Sequence, residues 1–206
     1  MNTNNDIIRI TTVKIMFLGD THVGKTSLIN TYIGDLFNED ILNTIFPDYY
    51  ISQLDVEDRS YKIKIYDIPG NERYRRQMRS YLRATKIIIL VFDMTSKRSF
   101  LELDNILEII EEFSDLKQFS YILIGNKADL IDRWEIKEKE GKQFAEIMNT
   151  KFFLSSAKIE PEKFKIFLDE YIEEYIKQHQ EEFVINRQQN VVNLNRNERR
   201  RRNTCL

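Results

Sequence analysis

Apolar residues fall along this chain in two patterns, short continuous runs and longer amphipathic stripes. Four runs are almost wholly apolar, at residues 13–18, 87–92, 121–125 and 151–154. Such runs are typical of strands buried on both faces of a parallel sheet. Residues 49–56 and 61–66 are two more strand candidates, and in the second of them apolar positions alternate with lysines. This alternation predicts a half-buried strand, and the polar turn at 57–59 joins the pair as an antiparallel hairpin.

Helical patterns separate most of these strands. Residues 25–33 and 134–148 are helix candidates, and two longer apolar stripes recur at helical spacing. The stripes comprise Phe100, Leu103, Ile106, Leu107, Ile110 and Phe113, then Phe164, Phe167, Leu168, Tyr171, Ile172, Tyr175 and Ile176. The second stripe could face a membrane or a partner helix, but packing on the sheet is favoured because its faces need cover. We predict an α/β fold with a six-stranded, mostly parallel sheet, helices on both faces and one antiparallel edge strand.

Length and charge fit one domain with polar ends. The 206 residues predict a polar N-terminal extension at 1–10, a single domain at 11–180 and a flexible basic tail at 181–206. No internal repeat is present. Lysine and arginine number 31 against 33 acidic residues, for a net charge of -2. This balance argues against a general polyanion binder, and a nucleic-acid partner is not expected.

Membrane and redox signals are sparse. The longest apolar run, at 87–92, is far shorter than the roughly 20 residues that cross a bilayer. The first ten residues lack the apolar core of a signal peptide, and Asn2 occupies the position where N-myristoylation needs glycine. The single cysteine, Cys205, excludes an intrachain disulfide. We therefore expect a soluble protein of a reducing, cytoplasmic compartment.

The string GDTHVGKT at 19–26 stands between the first apolar run and the first predicted helix. It matches G-x-x-x-x-G-K-[ST], a loop whose backbone N–H groups surround phosphate oxygens at a helix N-terminus. Lys25 can reach the outer phosphates, and the Thr26 hydroxyl suits Mg²⁺, a cation that prefers oxygen ligands. A chance match of this pattern is made less credible by its position between a strand and a helix.

A second motif, Asp67-Ile68-Pro69-Gly70, follows the alternating strand. An acidic residue at a strand end opposite a phosphate loop is placed to hold Mg²⁺, and Gly70 can direct its N–H to a terminal phosphate. The third motif, at 126–129, follows the run 121–125. The Asp129 carboxylate can accept from N1–H and N2–H₂ of guanine, whereas adenine would leave it unpaired. The string SAK at 156–158 offers a backbone N–H for the guanine oxygen.

With these four motifs in order, the chain resembles the Ras superfamily of small GTPases over about residues 11–175. Within it the chain is most similar to the Rab family, on segments such as KIKIYDIPGNERYR, SYLRATKIIILVFDMTSKRSF and ILIGNKADL and on its basic, cysteine-bearing tail. The resemblance implies a P-loop NTPase G domain that binds GTP or GDP with Mg²⁺, hydrolyses GTP and acts as a monomeric switch in vesicle traffic. Implied partners are guanine nucleotide exchange factors, GTPase-activating proteins and effectors.

The resemblance also assigns roles to residues. Thr44 matches the threonine that joins Mg²⁺ only when the γ-phosphate is present, and Phe37 matches the aromatic residue beside the base. Tyr49, Tyr66 and Tyr81 match an effector-reading aromatic triad, although ordinary strand and core packing explains them equally well. The implied metal ligands are Thr26, Thr44 and Asp67, and the implied catalytic residues are Lys25, Gly70 and Asn71. The implied nucleotide contacts are Asp20, Thr21, His22, Val23, Gly24, Lys25, Thr26, Ser27, Phe37, Thr44, Gly70, Asn126, Lys127, Asp129, Ser156, Ala157 and Lys158.

Several positions depart from the family pattern. Asn71 stands where most members carry the glutamine that orients the attacking water, and its amide has a shorter stem. We expect slow hydrolysis, because positioning is the main protein contribution to phosphoryl transfer. Pro69 stiffens the start of the second switch. An alternative function is a hydrolysis-poor GTP-binding module that recruits partners in one persistent state, and a metabolic P-loop kinase or ATPase is a third.

The tail combines Arg196 and the run at 199–202 with Cys205. A lipid on Cys205 and a basic cluster would together hold the protein on an anionic cytosolic membrane face. The cysteine is not fourth from the end, as a prenylation box of the C-a-a-X type requires. An unmodified thiol beside a solvated charge run is an equal alternative, and nuclear import or RNA binding by the arginines is a weaker one.

Overall fold

A computed structural model of the chain describes residues 11–71, 75–181 and 183. Its strands are β1 Thr11–Leu18, β2 Asp48–Val56, β3 Arg59–Asp67, β4 Ile87–Asp93, β5 Ser120–Asn126 and β6 Lys151–Leu154. Its α-helices are α1 Lys25–Ile33, α2 Arg75–Leu82, α3 Lys97–Phe113, α4 Glu138–Ile147 and α5 Pro161–Gln178. Two 3₁₀ turns, Leu116–Gln118 and Ile131–Arg133, precede β5 and α4.

One six-stranded sheet organises the domain, in the order β2-β3-β1-β4-β5-β6. Only β2 runs antiparallel to its neighbour, and it lies at the edge. The α/β fold class with one antiparallel edge strand is therefore confirmed. All seven residues of β4 are buried, as the continuous apolar run predicted for a strand covered on both faces.

Two apolar clusters cover the two faces of the sheet. On one face α1 and α5 contribute side chains such as Leu28, Phe164 and Ile172. On the other face α2, α3 and α4 contribute Met78, Leu103, Ala145 and others. Because the parallel strands point the same way, their carboxyl ends meet along one edge, where the four sequence motifs are brought together.

Two elements differ from the sequence-based expectation. The helix predicted at 134–148 begins only at Glu138, because the backbone N–H groups of Glu135 and Ile136 donate to the Met94 carbonyl. The Glu140 carboxylate then accepts from the Lys137 N–H at 2.9 Å and fixes the helix start. Helix α2 was not predicted at all, because its Arg-rich sequence carries too short an apolar stripe for the 3.6-residue pattern.

Among the described helices, none has the length and apolar character needed to cross a bilayer. The proposed boundaries at 1–10, 11–180 and 181–206 stay predictions. Phe183, just past the second boundary, is buried against the rings of Tyr61 and Tyr175, at centroid distances of 5.9 and 6.5 Å.

Candidate functional site

A cavity of about 420 Å³ lies at the carboxyl ends of the parallel strands. Such a position is where open α/β sheets bind ligands. Five segments of the chain line it, and most of the implied nucleotide contacts are on them: Thr21, His22, Gly24, Lys25, Thr26, Ser27, Phe37, Thr44, Gly70, Asn126, Lys127, Asp129, Ala157 and Lys158.

The phosphate loop joins β1 to α1 and bends where the sequence predicted. Gly24 caps α1 with φ +91°, and a Cβ there would lie 2.3 Å from the Asn126 amide nitrogen. His22 also has a positive φ, of 64°, which is unusual for a residue with a side chain. Lys25 Nζ donates to the carbonyls of Gly19 at 2.9 Å and Asp20 at 2.8 Å. These bonds hold the ammonium beneath the loop, facing the cavity.

Burial lowers the pKa of Lys25 to about 8, against the opposing attraction of Asp67 and Asp20. A cation that burial destabilises is stabilised by an anion placed next to it. The N-terminus of α1 adds further positive potential at the same point. The loop is therefore electrostatically suited to a phosphate group.

Three oxygen-bearing side chains converge beside the phosphate loop, from the start of α1, from the end of β3 and from the segment between α1 and β2. The Thr26 and Thr44 hydroxyl oxygens are 2.7 Å apart, and Thr26 Oγ1 donates to Asp67 Oδ2 at 2.6 Å. Thr44 Oγ1 lies 3.3 Å from the same carboxylate oxygen. The structure thus brings into contact the three side chains that the resemblance implied as metal ligands.

This cluster fits a hard divalent cation. Asp67 is fully buried, its Oδ1 has no hydrogen-bond partner in the described part of the chain, and burial raises its pKa despite the opposing effects of Thr26 and Lys25. Hydroxyl and carboxylate oxygens are the ligands that Mg²⁺ takes, with phosphate oxygens completing its shell. Among described residues no three His, Cys, Asp or Glu side chains group as a metal site by themselves. Thr26, Thr44 and Asp67 would thus hold the ion together with a bound phosphate.

Gly70 lies directly against the phosphate loop. A Cβ at this position would come within 2.3 Å of the Asp20 carbonyl carbon and 2.4 Å of the Thr21 nitrogen. Only glycine allows this approach of two backbones. The segment after β3 and the phosphate loop are therefore in contact without an intervening side chain.

The loops after β5 and β6 form the far end of the cavity. Asn126 Nδ2 donates to the Val23 carbonyl at 2.8 Å, which ties the β5 end to the phosphate loop. Asp129 Oδ1 accepts from Ser156 Oγ at 2.7 Å, so the carboxylate is oriented by the loop after β6. Lys127 Nζ pairs with Asp93 Oδ2 at 2.7 Å. The three motifs at 19–26, 126–129 and 156–158 are thereby cross-linked into one frame.

Some implied site residues do not line the cavity. Asp20, Val23 and Ser156 lie behind it, where their backbone or side chain holds residues that do. Asn71 is exposed and borders a separate space of about 20 Å³ near Gly19 and Glu102. The structure thus places Asn71 beside the site and outside the main cavity.

Several lining residues carry no motif signal in the sequence, and all of them lie in the irregular segment between α1 and β2 or beside the motifs. They are Asn38, Glu39, Ile41, Leu42, Asn43, Pro69 and Leu130. Glu39 forms an ion pair with Lys158 across the cavity. No sequence signal could reveal this pair, because it joins two loops 119 residues apart.

Tyr49, Tyr66 and Tyr81 form a continuous aromatic row. The ring centroids of Tyr49 and Tyr66 are 6.5 Å apart, and those of Tyr66 and Tyr81 are 5.3 Å apart. The middle ring, Tyr66, is 9 % exposed, whereas Tyr49 at one end is 53 % exposed and Tyr81 at the other end is partly exposed. Ile45 and Phe46 add exposed apolar area nearby in the chain. Cys205 and the basic cluster at 196–202 lie outside the described residues.

Comparison with known proteins agrees with this geometry. Residues 14–178 match the model of the Ras family. The chain is 38 % identical to the Ras-related protein Rab-18 of Lymnaea stagnalis over 149 residues, 72 % of this chain and 73 % of the relative. It is 32 % identical to the GTP-binding protein ypt1 of Schizosaccharomyces pombe over 145 residues, 70 % and 71 % of the two chains. It is 33 % identical to human Ras-related protein Rab-30 over 156 residues, 76 % of each chain. The chain therefore belongs to the Ras family, as a divergent member similar to Rab proteins.

Proposed function

We propose that this protein is a guanine-nucleotide-dependent molecular switch that binds GTP or GDP together with Mg²⁺. The observation that carries the proposal is that Thr26 and Thr44 line the cavity and contact the buried Asp67 carboxylate behind them, while Asp129 lines the same cavity from the loop after β5. The first three residues suit a metal-bound phosphate, and Asp129 suits a base with two adjacent N–H donors.

Base selection rests on Asp129. Its Oδ1 is held by Ser156, so the carboxylate has little freedom to turn away from an unsuitable base. Guanine offers N1–H and N2–H₂ to such a carboxylate, whereas adenine offers no matching pair of donors. A buried acceptor without its donor costs about 1–3 kcal/mol, and more when it is charged. Preference for guanine over adenine follows from this cost.

The switching action rests on Thr44 and Gly70. Both line the cavity beside Lys25, and each belongs to a loop that carries little other structure. A γ-phosphate held by Lys25 gives both loops a shared contact, and cleavage of that phosphate removes it. Bound Mg²⁺ supplies charge neutralisation at the phosphate oxygens. The two loops then differ between the GTP and GDP states, and partners can read the difference.

Hydrolysis is proposed to be slow. Asn71 matches the family position that orients the attacking water. Its side chain is short, and it lies outside the cavity that the phosphate loop lines. Single-turnover GTP cleavage by the parent protein and by Asn71→Gln tests this. We expect the glutamine variant to be faster by about tenfold or more, since well-placed positioning groups contribute on that scale or above. Equal rates would contradict the role given to Asn71.

The second candidate is a GTP-binding interaction module with almost no turnover. Asn71 and the rigid Pro69 favour it, because both reduce the protein's ability to place a water molecule. Turnover measured with an excess of GTP separates the two. A switch completes many cycles once exchange is stimulated, whereas the module retains GTP unchanged.

The cellular setting is proposed to be Rab-like vesicle transport on the cytosolic face of an endomembrane. Its support is the similarity to Rab-18, ypt1 and Rab-30. Partners would be an exchange factor, a GTPase-activating protein and effectors that read the tyrosine row. The arginine cluster, with a lipid on Cys205, would provide membrane attachment. Mass spectrometry of the C-terminal peptide from native cells tests the lipid directly, and an unmodified Cys205 would exclude it.

The nucleotide proposal is tested by extracting the ligand from purified protein and separating it chromatographically. We expect GDP or GTP in close to one-to-one ratio with the protein. Recovery of adenine nucleotides, or of no nucleotide from folded protein, would contradict the proposal.

A further inference from the structure

A second cleft lies at the opposite end of the sheet from the nucleotide cavity. Lys86, just before β4, and Ser120, the first residue of β5, both line it. Asn126, the last residue of β5, lines the nucleotide cavity. A seven-residue strand spans roughly 20 Å, so the two sites are separated by about that distance. Ligands at one end do not contact the other.

The charged residues among the described lining of this cleft are all basic, and we name it the basic cleft. Its volume is about 690 Å³, and its basic lining residues are Arg79, Arg83, Lys86, Lys117 and His179. No Asp or Glu is among its described lining residues. The nearby Asp115 carboxylate accepts from the Lys117 N–H at 2.9 Å and caps the short turn there.

Three of these cations lack a carboxylate partner. Within the described part of the chain, Arg79, Arg83 and Lys117 make no ion pair, whereas lysines such as Lys142 and Lys177 pair along their own helices. Arg79 instead lies over the ring of Phe113, with its guanidinium carbon 6.0 Å from the centroid. Among the described residues, therefore, no carboxylate neutralises these three charges.

The path of the chain adds a second argument. His179 and Tyr175 line the basic cleft, and Phe183 packs on Tyr175 at 6.5 Å. In the sequence, Phe183 is followed by a segment with six further arginines, at 187, 196 and 199–202. A surface that attracted those arginines would meet the nearby basic cleft at the same time, while the nucleotide cavity lies at the other end of the sheet.

We propose that the basic cleft binds the phosphate-bearing headgroup of an anionic membrane lipid and so docks the domain with its nucleotide end facing away from the bilayer. A concave site with several cations can place more than one on a single multiply phosphorylated headgroup, as isolated surface lysines cannot. The inference depends neither on GTP hydrolysis nor on lipid attachment at Cys205.

A contrary explanation exists for the same cations. Helices α2 and α3 end beside the cleft, as does α5, and helix C-termini attract positive side chains. In that case the cations contribute only to the stability of the fold. Their removal would then lower thermal stability and leave membrane binding unchanged.

The test is sedimentation of the full-length, GDP-loaded protein with vesicles of phosphatidylcholine containing phosphatidylinositol bisphosphate. The variant is Arg83→Gln with Lys117→Gln, and both side chains are exposed. The matched control is Arg59→Gln with Lys139→Gln, which removes the same two charges at exposed positions outside the cleft. Each cation near an anionic surface changes membrane affinity several-fold, so the affinity of the cleft variant for the vesicles should fall by about tenfold or more. The control should change by less than about threefold.

Further measurements, which include inositol phosphate binding and thermal stability, make the outcome decisive. The charge-preserving swap Arg83→Lys with Lys117→Arg should retain vesicle binding, and phosphatidylserine vesicles of equal charge should bind more weakly than phosphatidylinositol bisphosphate vesicles. GDP affinity should be unchanged in every variant, which separates this result from any failure of the nucleotide proposal. Equal losses in the cleft and control variants, equal binding to both charged lipids, or binding of soluble inositol phosphate without vesicle binding would each overturn the inference. So would a fall in thermal stability alone.

Discussion

The bond between Asn126 and Val23 offers a sharp test of how the site is built. Asn126 is 2 % exposed, and its Nδ2 lies 2.8 Å from the carbonyl oxygen of Val23, a residue that is itself 1 % exposed. In Asn126→Ala that carbonyl loses its partner where water has poor access. An unsatisfied buried acceptor costs about 1–3 kcal/mol.

The expected magnitude lies in the lower part of this range. Asn126 Oδ1 is itself buried without a hydrogen-bond partner among the described residues, and alanine removes that unfavourable group as well. We therefore expect Asn126→Ala to lower the free energy of unfolding by roughly 1–2 kcal/mol. The matched control is Asn105→Ala, because Asn105 Nδ2 also donates a bond, to Glu102 at 2.9 Å, but on an exposed helix face. That variant should change stability by less than about 0.5 kcal/mol.

Urea unfolding with saturating GDP and Mg²⁺ measures both variants, with fluorescence of the single tryptophan, Trp134, as the signal. Bound GDP adds a stabilisation that depends on its own Kd, so the Kd of each variant is measured separately and its contribution subtracted. If the corrected stability of Asn126→Ala matches that of Asn105→Ala, the bond between the β5 end and the phosphate loop contributes nothing and the reasoning fails.

Two other substitutions probe neighbouring parts of the structure. In Gly70→Ala the new methyl group forces the phosphate loop and the segment after β3 apart by roughly 1 Å to restore normal contact. GTP affinity should therefore fall more than GDP affinity in equilibrium titrations, and equal losses would contradict the proposed contact with the γ-phosphate. Tyr32→Phe removes the bond from Tyr32 Oη to Asp169 Oδ1, 2.8 Å, that joins α1 to α5, and should lower the melting temperature by about 2–4 °C, equivalent to roughly 1 kcal/mol. Burial, and then Asp169, raise the pKa of Tyr32 in the folded protein. The stability that the Tyr32 hydroxyl contributes is therefore complete below the unfolded pKa of about 10 and is lost as pH rises further. The parent and Tyr32→Phe proteins should converge in free energy of unfolding above pH 10, and a difference that widened there would contradict this assignment.

Local signals were enough to predict the sheet and to single out most of the residues that line the cavity. The run at 87–92 and the alternation at 61–66 define β4 and β3 to within a few residues, because burial on two faces or one face leaves a direct mark on the sequence. The motif at 19–26 likewise predicts the phosphate loop, since only a few residue types suit each of its positions.

Other features depend on contacts that no local pattern contains. The ion pair of Glu39 with Lys158 and the placement of Asn71 outside the cavity arise from loops that meet only after folding. The start of α4 depends on Met94, whose carbonyl accepts the N–H groups of two residues before the helix. Arg-rich α2 buries Met78 and Leu82, too short a stripe to be found from sequence.

The central claim is that the cavity selects a guanine nucleotide, and competitive equilibrium binding of GDP and ADP to nucleotide-depleted protein in Mg²⁺ tests it most directly. The oriented Asp129 carboxylate and the cross-linked loops around it predict that GDP binds at least about a thousandfold more tightly than ADP, because a site built for two base donors rejects a base without them. Comparable affinities, or a preference for ADP, would contradict the account.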